Sequence, residues 1–426
     1  MLLQFSVKNF LSFKDKQVFT TLANSDKTHA KDNLISFGSK KYSKINVIYG
    51  ANASGKTNLC KALQFIKWFV INSNNLLENI GTTVLPFAFD ERMANTPSSF
   101  ELLFVKNDIK YAYSFSCTRF EVVEERLDIY EKGQPKLVFN RTNTANFEFN
   151  SYEKSLRPIV DKNTKNKLFL CTASNWNFEV TKPVVDFIIN DLLIIFDYST
   201  DLPMLIKRLK DANDYDEYKA FCLKLLSIGD FSISDFDVKI TEIESIPPEL
   251  GAFMQAFIAK NDMPVPQTQK LIKTELTTFH TFNNENGESK CPMNLAFESL
   301  GTQAMFNFAP VLYDILKNGR VLIVDEIDKS LHPLIVRYIV SLFADSSSNK
   351  HGAQLICNTH DTNLLDLDLL RRDEIWFTER DPQTGSTSLY PLTDYSPRKG
   401  ENIENGYLVG RYGAIPFINK TVKLWE

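Results

Sequence analysis

One octapeptide constrains this chain more than anything else in it. Gly50-Ala51-Asn52-Ala53-Ser54-Gly55-Lys56-Thr57 fits the pattern G-x-x-x-x-G-K-[ST]. Its flanks fit as well: Ile45-Asn46-Val47-Ile48-Tyr49 reads as a buried strand entering the loop, and Asn58 to Val70 as a helix leaving it. A strand, a glycine-bearing turn and a helix in that order aim backbone N–H groups and a helix N-terminus at one point. Such a cradle holds the phosphates of a nucleotide. Gly50, Asn52, Ala53, Ser54, Gly55 and Asn58 would then line the cradle. Lys56 would reach the β- and γ-phosphates, and the Thr57 hydroxyl would ligate Mg²⁺.

Composition narrows the remaining choices. A chain of 426 residues holds two or three domains, or one α/β domain with a large insertion. At 43% apolar residues, a sizeable core is available to it. The formal net charge of −4 gives no general case for a nucleic-acid partner and leaves only a local basic patch open. The cluster Lys162, Lys165 and Lys167 reads as a solvated loop. Cysteines 60, 117, 171, 222, 291 and 357 form no C-x-x-C pair and no zinc spacing, so they read as reduced, mostly buried thiols. No apolar run approaches the ~18 residues that span a bilayer, and the N-terminus carries no secretory pattern. The expected location is therefore the cytoplasm, with no membrane partner.

Along the chain, residues 2–20 alternate like a strand and hairpin. From about 83 to 150 strand follows strand: Phe100 to Val105, Tyr111 to Cys117, Phe120 to Ile129 and Leu137 to Phe139. Turn residues such as Lys106-Asn107-Asp108 separate them, which describes a meandering antiparallel sheet. Pro86-Phe87 is assigned to that sheet lobe. Val184 to Leu193 and Met204 to Ile228 read as helices, and residues 232–285 mix strand and helix. From 295 the pattern is α/β: a helix near 302–317, a strand at Val321 to Val324, a helix near 333–345 and a strand at Gln354 to Cys357. The expected division is 1–150, 151–288 and 289–426: an N-terminal half core with a β lobe, an inserted lobe, and a C-terminal half core.

Three further segments carry chemistry. Val321-Leu322-Ile323-Val324-Asp325-Glu326 is a central parallel strand followed by two carboxylates. Asp325 would hold Mg²⁺, and Glu326 would polarise the attacking water. Ser299-Leu300-Gly301-Thr302-Gln303 opens a helix. It is a plain N-cap, or an N-cap that also takes a γ-phosphate, the glycine allowing close approach. Gln354 to Thr359 ends in His360, a structural histidine or a donor to the γ-phosphate.

These pieces in this order resemble the ATP-binding-cassette-type ATPases of the SMC/RecF branch. In that family's terms Gly50 to Thr57 match the Walker A loop, and Asp325 and Glu326 the Walker B aspartate and catalytic glutamate. Ser299, Gly301, Thr302 and Gln303 match the signature motif, Asp328 lies in the D-loop, and His360 matches the switch histidine. The opening Asn9-Phe10-Leu11-Ser12-Phe13 is similar to the family's "N-F-x-S-F" start. The resemblance implies an α/β fold: a cassette-type P-loop ATPase head with an antiparallel β lobe, and a mainly helical insertion between Walker A and signature motif. It implies ATP and Mg²⁺ as ligands. It also implies a head-to-tail homodimer or higher oligomer in which one subunit's signature residues complete the other's ATP site. No residue matches the family's Q-loop glutamine.

Pro86-Phe87 and Gly410-Arg411-Tyr412-Gly413-Ala414-Ile415-Pro416 also resemble stand-alone AAA-type ATPases of prokaryotic antiphage defence operons, of the PARIS-like, Septu-like and abortive-infection kinds. That resemblance implies a sensor or regulatory subunit controlling a separately encoded effector such as a nuclease. The alternative is a DNA-repair ATPase like RecF that clamps DNA when ATP-bound. About 240 residues separate Thr57 from Ser299 without sustained heptads, which argues against a long DNA-tethering arm. Asp366-Leu367-Asp368 is read as a helix start and Asp108-Ile109-Lys110 as a hairpin, so neither makes a nuclease of this chain. Arg411 is read as part of a packing turn, with contact to nucleotide or a neighbouring subunit as its alternative.

Overall fold

The computed structural model describes residues 1–131, 133–196, 206, 210, 214–229, 232–243, 271–284, 287–398 and 400–416. The chain divides into two compact units. One comprises Met1–Phe196, Ile315–Lys329 and Pro333–Glu426; the other comprises Asp197–Asp314 and Ser330–His332.

The first unit opens with β1 (Leu2–Lys8) and β2 (Gln17–Thr20), paired antiparallel. A hairpin of β3 (Leu34–Phe37) and β4 (Lys40–Ser43) leads to β5 (Ile45–Gly50), buried along its whole length. Helix α1 (Lys56–Asn72) follows the loop. Next come β6 (Ser98–Lys106), β7 (Ile109–Cys117), β8 (Val122–Tyr130), β9 (Lys136–Thr142) and β10 (Asn146–Glu148). With β1 and β2 they make one seven-stranded antiparallel sheet in the order β10-β9-β8-β7-β6-β1-β2. Asn107 and Asp108 turn β6 into β7 at φ 52° and 59°, the left-handed pair that matches strand twist in a two-residue hairpin.

Alternation decides which face of this sheet is buried. Phe100, Leu102 and Phe104 on β6 and Tyr111, Tyr113 and Phe115 on β7 are all buried. Phe65 and Phe69 of α1 pack on them. Ring centroids lie 5.0 Å apart for Phe65 and Phe100, 5.1 Å for Phe100 and Phe115, and 5.7 Å for Phe69 and Phe115. The chain's many phenylalanines thus seat the helix whose first turn ends the phosphate loop. Phe100→Ala is expected to cost about 3–5 kcal/mol, read as a lower urea midpoint at unchanged slope. A loss below about 1 kcal/mol would show that this core does not hold α1.

Beyond the meander, Lys182–Asp186 is α-helical and Phe187–Asp191 a π-helical turn; Leu192–Ile195 is strand β11. This corrects the sequence reading, which carried the helix through Leu193. Four consecutive apolar residues suit a buried strand as well as a helix face, and the partner strand decides.

In the second unit the described residues form the helix Tyr215–Ile228 and a three-stranded antiparallel sheet of β12 (Ile233–Ile243), β13 (Leu271–Asn284) and β14 (Gly287–Asn294). The helix Leu300–Asn318 follows and ends in the first unit. Of the helix expected over 204–228, most of 204–213 lies outside the described residues, as does 244–270 of the mixed segment.

The last sheet, in the first unit, adds β15 (Val321–Val324), β16 (Gln354–Asn358), β17 (Ile375–Arg380) and β18 (Thr387–Pro391). Its order is β11-β15-β16-β5-β17-β18, parallel throughout except for the β17–β18 hairpin. Register sets Val324 opposite Cys357, Asn358 opposite Ile48, and Thr378 opposite Gly50. The carboxyl ends of β15, β16, β5 and β17 therefore emerge side by side, where open parallel sheets take their ligands. This is an α/β architecture, a largely parallel sheet with a separate antiparallel β lobe.

Candidate active site

The loop between β5 and α1 turns on Ala53 at φ 62° and Gly55 at φ 110°. Packing dictates its glycines. A Cβ at Gly50 would lie 2.4 Å from Ser54 Oγ and 2.5 Å from the Thr378 carbonyl. At Gly55 a Cβ would lie 2.5 Å from Thr387 Oγ1, on a backbone conformation that L-residues rarely adopt. The β17–β18 hairpin is thus the floor of the loop. Ser54 Oγ shares a 2.7 Å hydrogen bond with Thr378 Oγ1. Thr387 Oγ1 lies 2.8 Å from both Ser12 Oγ and the Ser54 carbonyl, and Asn58 Nδ2 donates to Ser12 Oγ at 2.8 Å. Ser54 and Asn58 therefore spend their side chains on bracing the loop.

Lys56 Nζ donates to the Gly50 and Ala51 carbonyls at 2.7 and 3.1 Å. Burial pulls its pKa down, and the carboxylates of Asp325, Glu326 and Asp328 oppose that pull. β15 delivers those acids, and Asn358 at the end of β16 holds the first two. Its Nδ2 donates to Asp325 Oδ1, and its Oδ1 accepts from the Glu326 N–H at 2.6 Å. Glu326 sits at φ 57°, a region costly for a residue with a side chain, so the clamp has a conformation to maintain. Asp328 Oδ1 accepts from Thr359 Oγ1 at 2.7 Å and from the His360 N–H at 3.4 Å. Burial and the Lys56 ammonium lower the pKa of His360, against the pull of Asp328, Glu326 and Asp325; its imidazole is neutral at pH 7.

A cleft of about 620 Å³ brings loop residues Asn52 to Asn58 together with Glu326 and His360. Leu11, Leu85, Pro86, Phe89, Arg119 and Arg380 belong to its remaining wall. The size suits a small ligand, for which pockets run to ~300–1,000 Å³. Asp325 and Asp328 are not on that wall; Asn358 and Thr359 tie them to the end of β16. The Thr57 hydroxyl and the Asp325 carboxylate are both oxygen donors, the chemistry that Mg²⁺ prefers. Among the described residues no group of three or more His, Cys, Asp or Glu could hold a metal ion by itself.

The segment Ser299 to Gln303 belongs to the second unit. There Ser299 Oγ accepts from the Thr302 N–H at 3.1 Å and lies 2.8 Å from Thr302 Oγ1. Gln303 Nε2 donates to the Glu298 carbonyl at 2.8 Å, and Gly301 lies in the first turn. The geometry is that of a helix N-cap.

Four other segments acquire definite places. Pro86 and Phe87 lie in the connection from α1 to β6, not in a strand; the Phe87 N–H donates to Asn9 Oδ1 at 3.0 Å. Asp366 begins a turn rather than a helix, with Oδ2 2.6 Å from Arg337. Arg411 is exposed, pairs with Glu401 and lies over the ring of the buried Tyr412. Cys60, Cys117, Cys171, Cys222 and Cys357 are buried and unbridged, and Cys291 is exposed. The residues that sequence reasoning missed are Asn358 beside Asp325 and Glu326, Thr378 and Thr387 under the loop, and Phe89, Arg119 and Arg380 on the wall. Only Asn358 carried a signal, standing two residues before His360 at a strand end.

One family profile, "AAA domain, putative AbiEii toxin, Type IV TA system", matches residues 45–366. Among solved structures the chain is similar to an SMC head domain from Thermotoga maritima, at 15% identity over 92% of this chain and 98% of that one, with a TM-score of 0.40. It is also similar to an SMC head solved bound to the C-winged helix domain of ScpA, at 14% identity over 92% and 97%, with a TM-score of 0.42. No curated protein matches. No described helix is long and apolar enough to cross a membrane.

Proposed function

The chain belongs to the AAA_21 family of AAA domains, and on that premise we propose that it binds and hydrolyses ATP as the sensor or regulatory subunit of a prokaryotic antiphage defence complex. A separately encoded effector does the damage. The observation that carries the ATPase reading is the single cleft in which Lys56, Thr57, Glu326 and His360 meet the phosphate loop. The family description, which names a toxin of a type IV toxin–antitoxin system, supports a place in such a system and says nothing of a separate effector.

In this mechanism the loop N–H groups and Lys56 hold the triphosphate. Thr57 and Asp325 would hold Mg²⁺, which when bound neutralises charge on the phosphate oxygens. Glu326 orients a water and takes its proton as the oxygen attacks the γ-phosphorus. The bond to the β-phosphate oxygen breaks, leaving ADP and phosphate. Neutral His360 donates a hydrogen bond to the γ-phosphate. Ser299, Gly301, Thr302 and Gln303 of a second copy close the site in trans, so bound ATP favours a head-to-tail dimer that hydrolysis releases. The inserted lobe, proposed over 151–288, receives a protein partner or assembles copies of the chain.

The test is phage plating on cells carrying the gene with its native neighbours, against the same operon with Lys56→Ala. Protection that vanishes with the substitution is the expected result. If neither strain restricts any phage across a broad panel, the defence role falls, and DNA-stimulated ATPase activity becomes the question.

A further inference from the structure

We infer that Glu298, held by Thr278 and His280 of β13, is the positioning residue that fixes Ser299 to Gln303 for their contact with the ATP of a second copy. The sheet of the second unit then reaches the shared site through one carboxylate. The inference rests on the reading above in which those residues close the site in trans.

Apolar packing does not seat this segment. Phe297 and Leu300, on either side of Glu298 and Ser299, are 82% and 72% exposed. A segment with its large side chains in water is held by polar contacts or stays loose. The polar contacts are present. The Asn294 side chain accepts from the Ala296 N–H at 2.9 Å and opens the turn Leu295–Phe297 after β14. The Glu298 N–H donates to the Leu295 carbonyl at 3.1 Å. The Glu298 carbonyl accepts from Gln303 Nε2 at 2.8 Å, and the Gln303 N–H donates to the Ser299 carbonyl at 2.9 Å. These bonds are local. They give the segment its shape and do not say where it stands.

The Glu298 side chain supplies the place. It is only 8% exposed. Thr278 Oγ1 donates to Glu298 Oε1 at 2.5 Å, and His280 Nε2 lies 2.7 Å from the same oxygen. Strand alternation puts Thr278 and His280, two residues apart, on one face of β13. β13 is the middle strand of its sheet, with β12 paired along one side and β14 along the other. The two partners of Glu298 therefore stand on a strand that is held from both sides. A carboxylate taken out of water is costly unless it is hydrogen-bonded, so Glu298 stays where these partners are. Ser299, the next residue, is exposed. A contact made across two copies needs a group that is reachable and fixed, and an exposed serine beside a buried, doubly held carboxylate is both.

The test uses the full chain. Glu298→Ala is expected to lower multiple-turnover phosphate release by about 10- to 100-fold, the loss that follows a displacement of ~1 Å. ATP affinity of the dilute chain, read by displacement of a fluorescent ATP analogue, should stay within about 2-fold. Glu298→Gln keeps an acceptor oxygen for Thr278 and His280 and should hold turnover within about 3-fold of the unsubstituted chain. Mixing chains separates positioning from folding. When Glu298→Ala and Glu326→Gln chains are mixed before ATP is added, the first chain's phosphate loop and Glu326 meet the second chain's intact Ser299 to Gln303. That one complete site should restore about a quarter of the unsubstituted turnover, since about half of randomly paired dimers are mixed. Ser299→Ala mixed with Glu326→Gln is the control. The proposal is overturned if the control recovers and the Glu298→Ala mixture does not. It is equally overturned if Glu298→Ala leaves turnover unchanged, or weakens ATP binding along with it. If neither mixture recovers, the trans site itself falls and takes the positioning role with it.

Discussion

Glu326→Gln is expected to lower ATP turnover by about 100- to 10,000-fold, the usual contribution of a positioned general base, while ATP binding stays within a few-fold of the unsubstituted chain. The separation follows from the geometry. Asn358 grips the backbone N–H of Glu326 at 2.6 Å, not its side chain, so glutamine inherits the same left-handed backbone and the same place on the cleft wall. Only the ability to take a proton is lost. ATP should then persist on the protein, and size-exclusion chromatography with ATP should show an accumulated dimer. Multiple-turnover phosphate release decides the point: hydrolysis at the rate of the unsubstituted chain would remove Glu326 from the mechanism.

Lys56→Ala should act one step earlier, at binding. The ammonium is the charge that balances Asp325, Glu326 and Asp328, all of which act electrostatically on it. Without it, three carboxylates face a triphosphate of the same sign. Losing one charge-assisted contact and gaining that repulsion should weaken ATP affinity by on the order of 100-fold. The readout is thermal stabilisation by ligand, which grows with the logarithm of ligand over Kd. ATP should raise the melting temperature of the unsubstituted chain and leave that of the Lys56→Ala chain unmoved at the same concentration. Equal stabilisation of both would show that nucleotide binds elsewhere.

The sequence spoke clearly where chemistry is local. Gly50 to Thr57 is contiguous, and so are Val321 to Glu326, so each announced its strand end and its loop without help from the rest of the fold. Residues that act through strand register were silent. Thr378 and Thr387 are unremarkable threonines until β17 lies beside β5, and only then do they become the floor of the loop. Leu192 to Ile195 is an apolar run that β15 converts into a strand. Phe89 and Arg380 are almost three hundred residues apart, and nothing in either neighbourhood foretells that one ring would lie under the other's guanidinium. Phe100 and Phe115 lay between these extremes: their strands were legible, but not the helix that covers them.

The bond between Ser54 and Thr378 joins residues 324 positions apart. During synthesis, at ~5–20 residues per second, the phosphate loop therefore leaves the ribosome tens of seconds before its floor does. Until β17 and β18 have been made, Gly50 lacks Thr378 and Gly55 lacks Thr387 to pack on, and the loop lacks its floor. A chain cut short before Thr387 would carry the whole G-x-x-x-x-G-K-[ST] motif and still lack a working cradle. Holding a nucleotide thus reports that the chain has been made through the β17–β18 hairpin. Fragments of the chain that end before the hairpin would then stay unable to hold a nucleotide by construction.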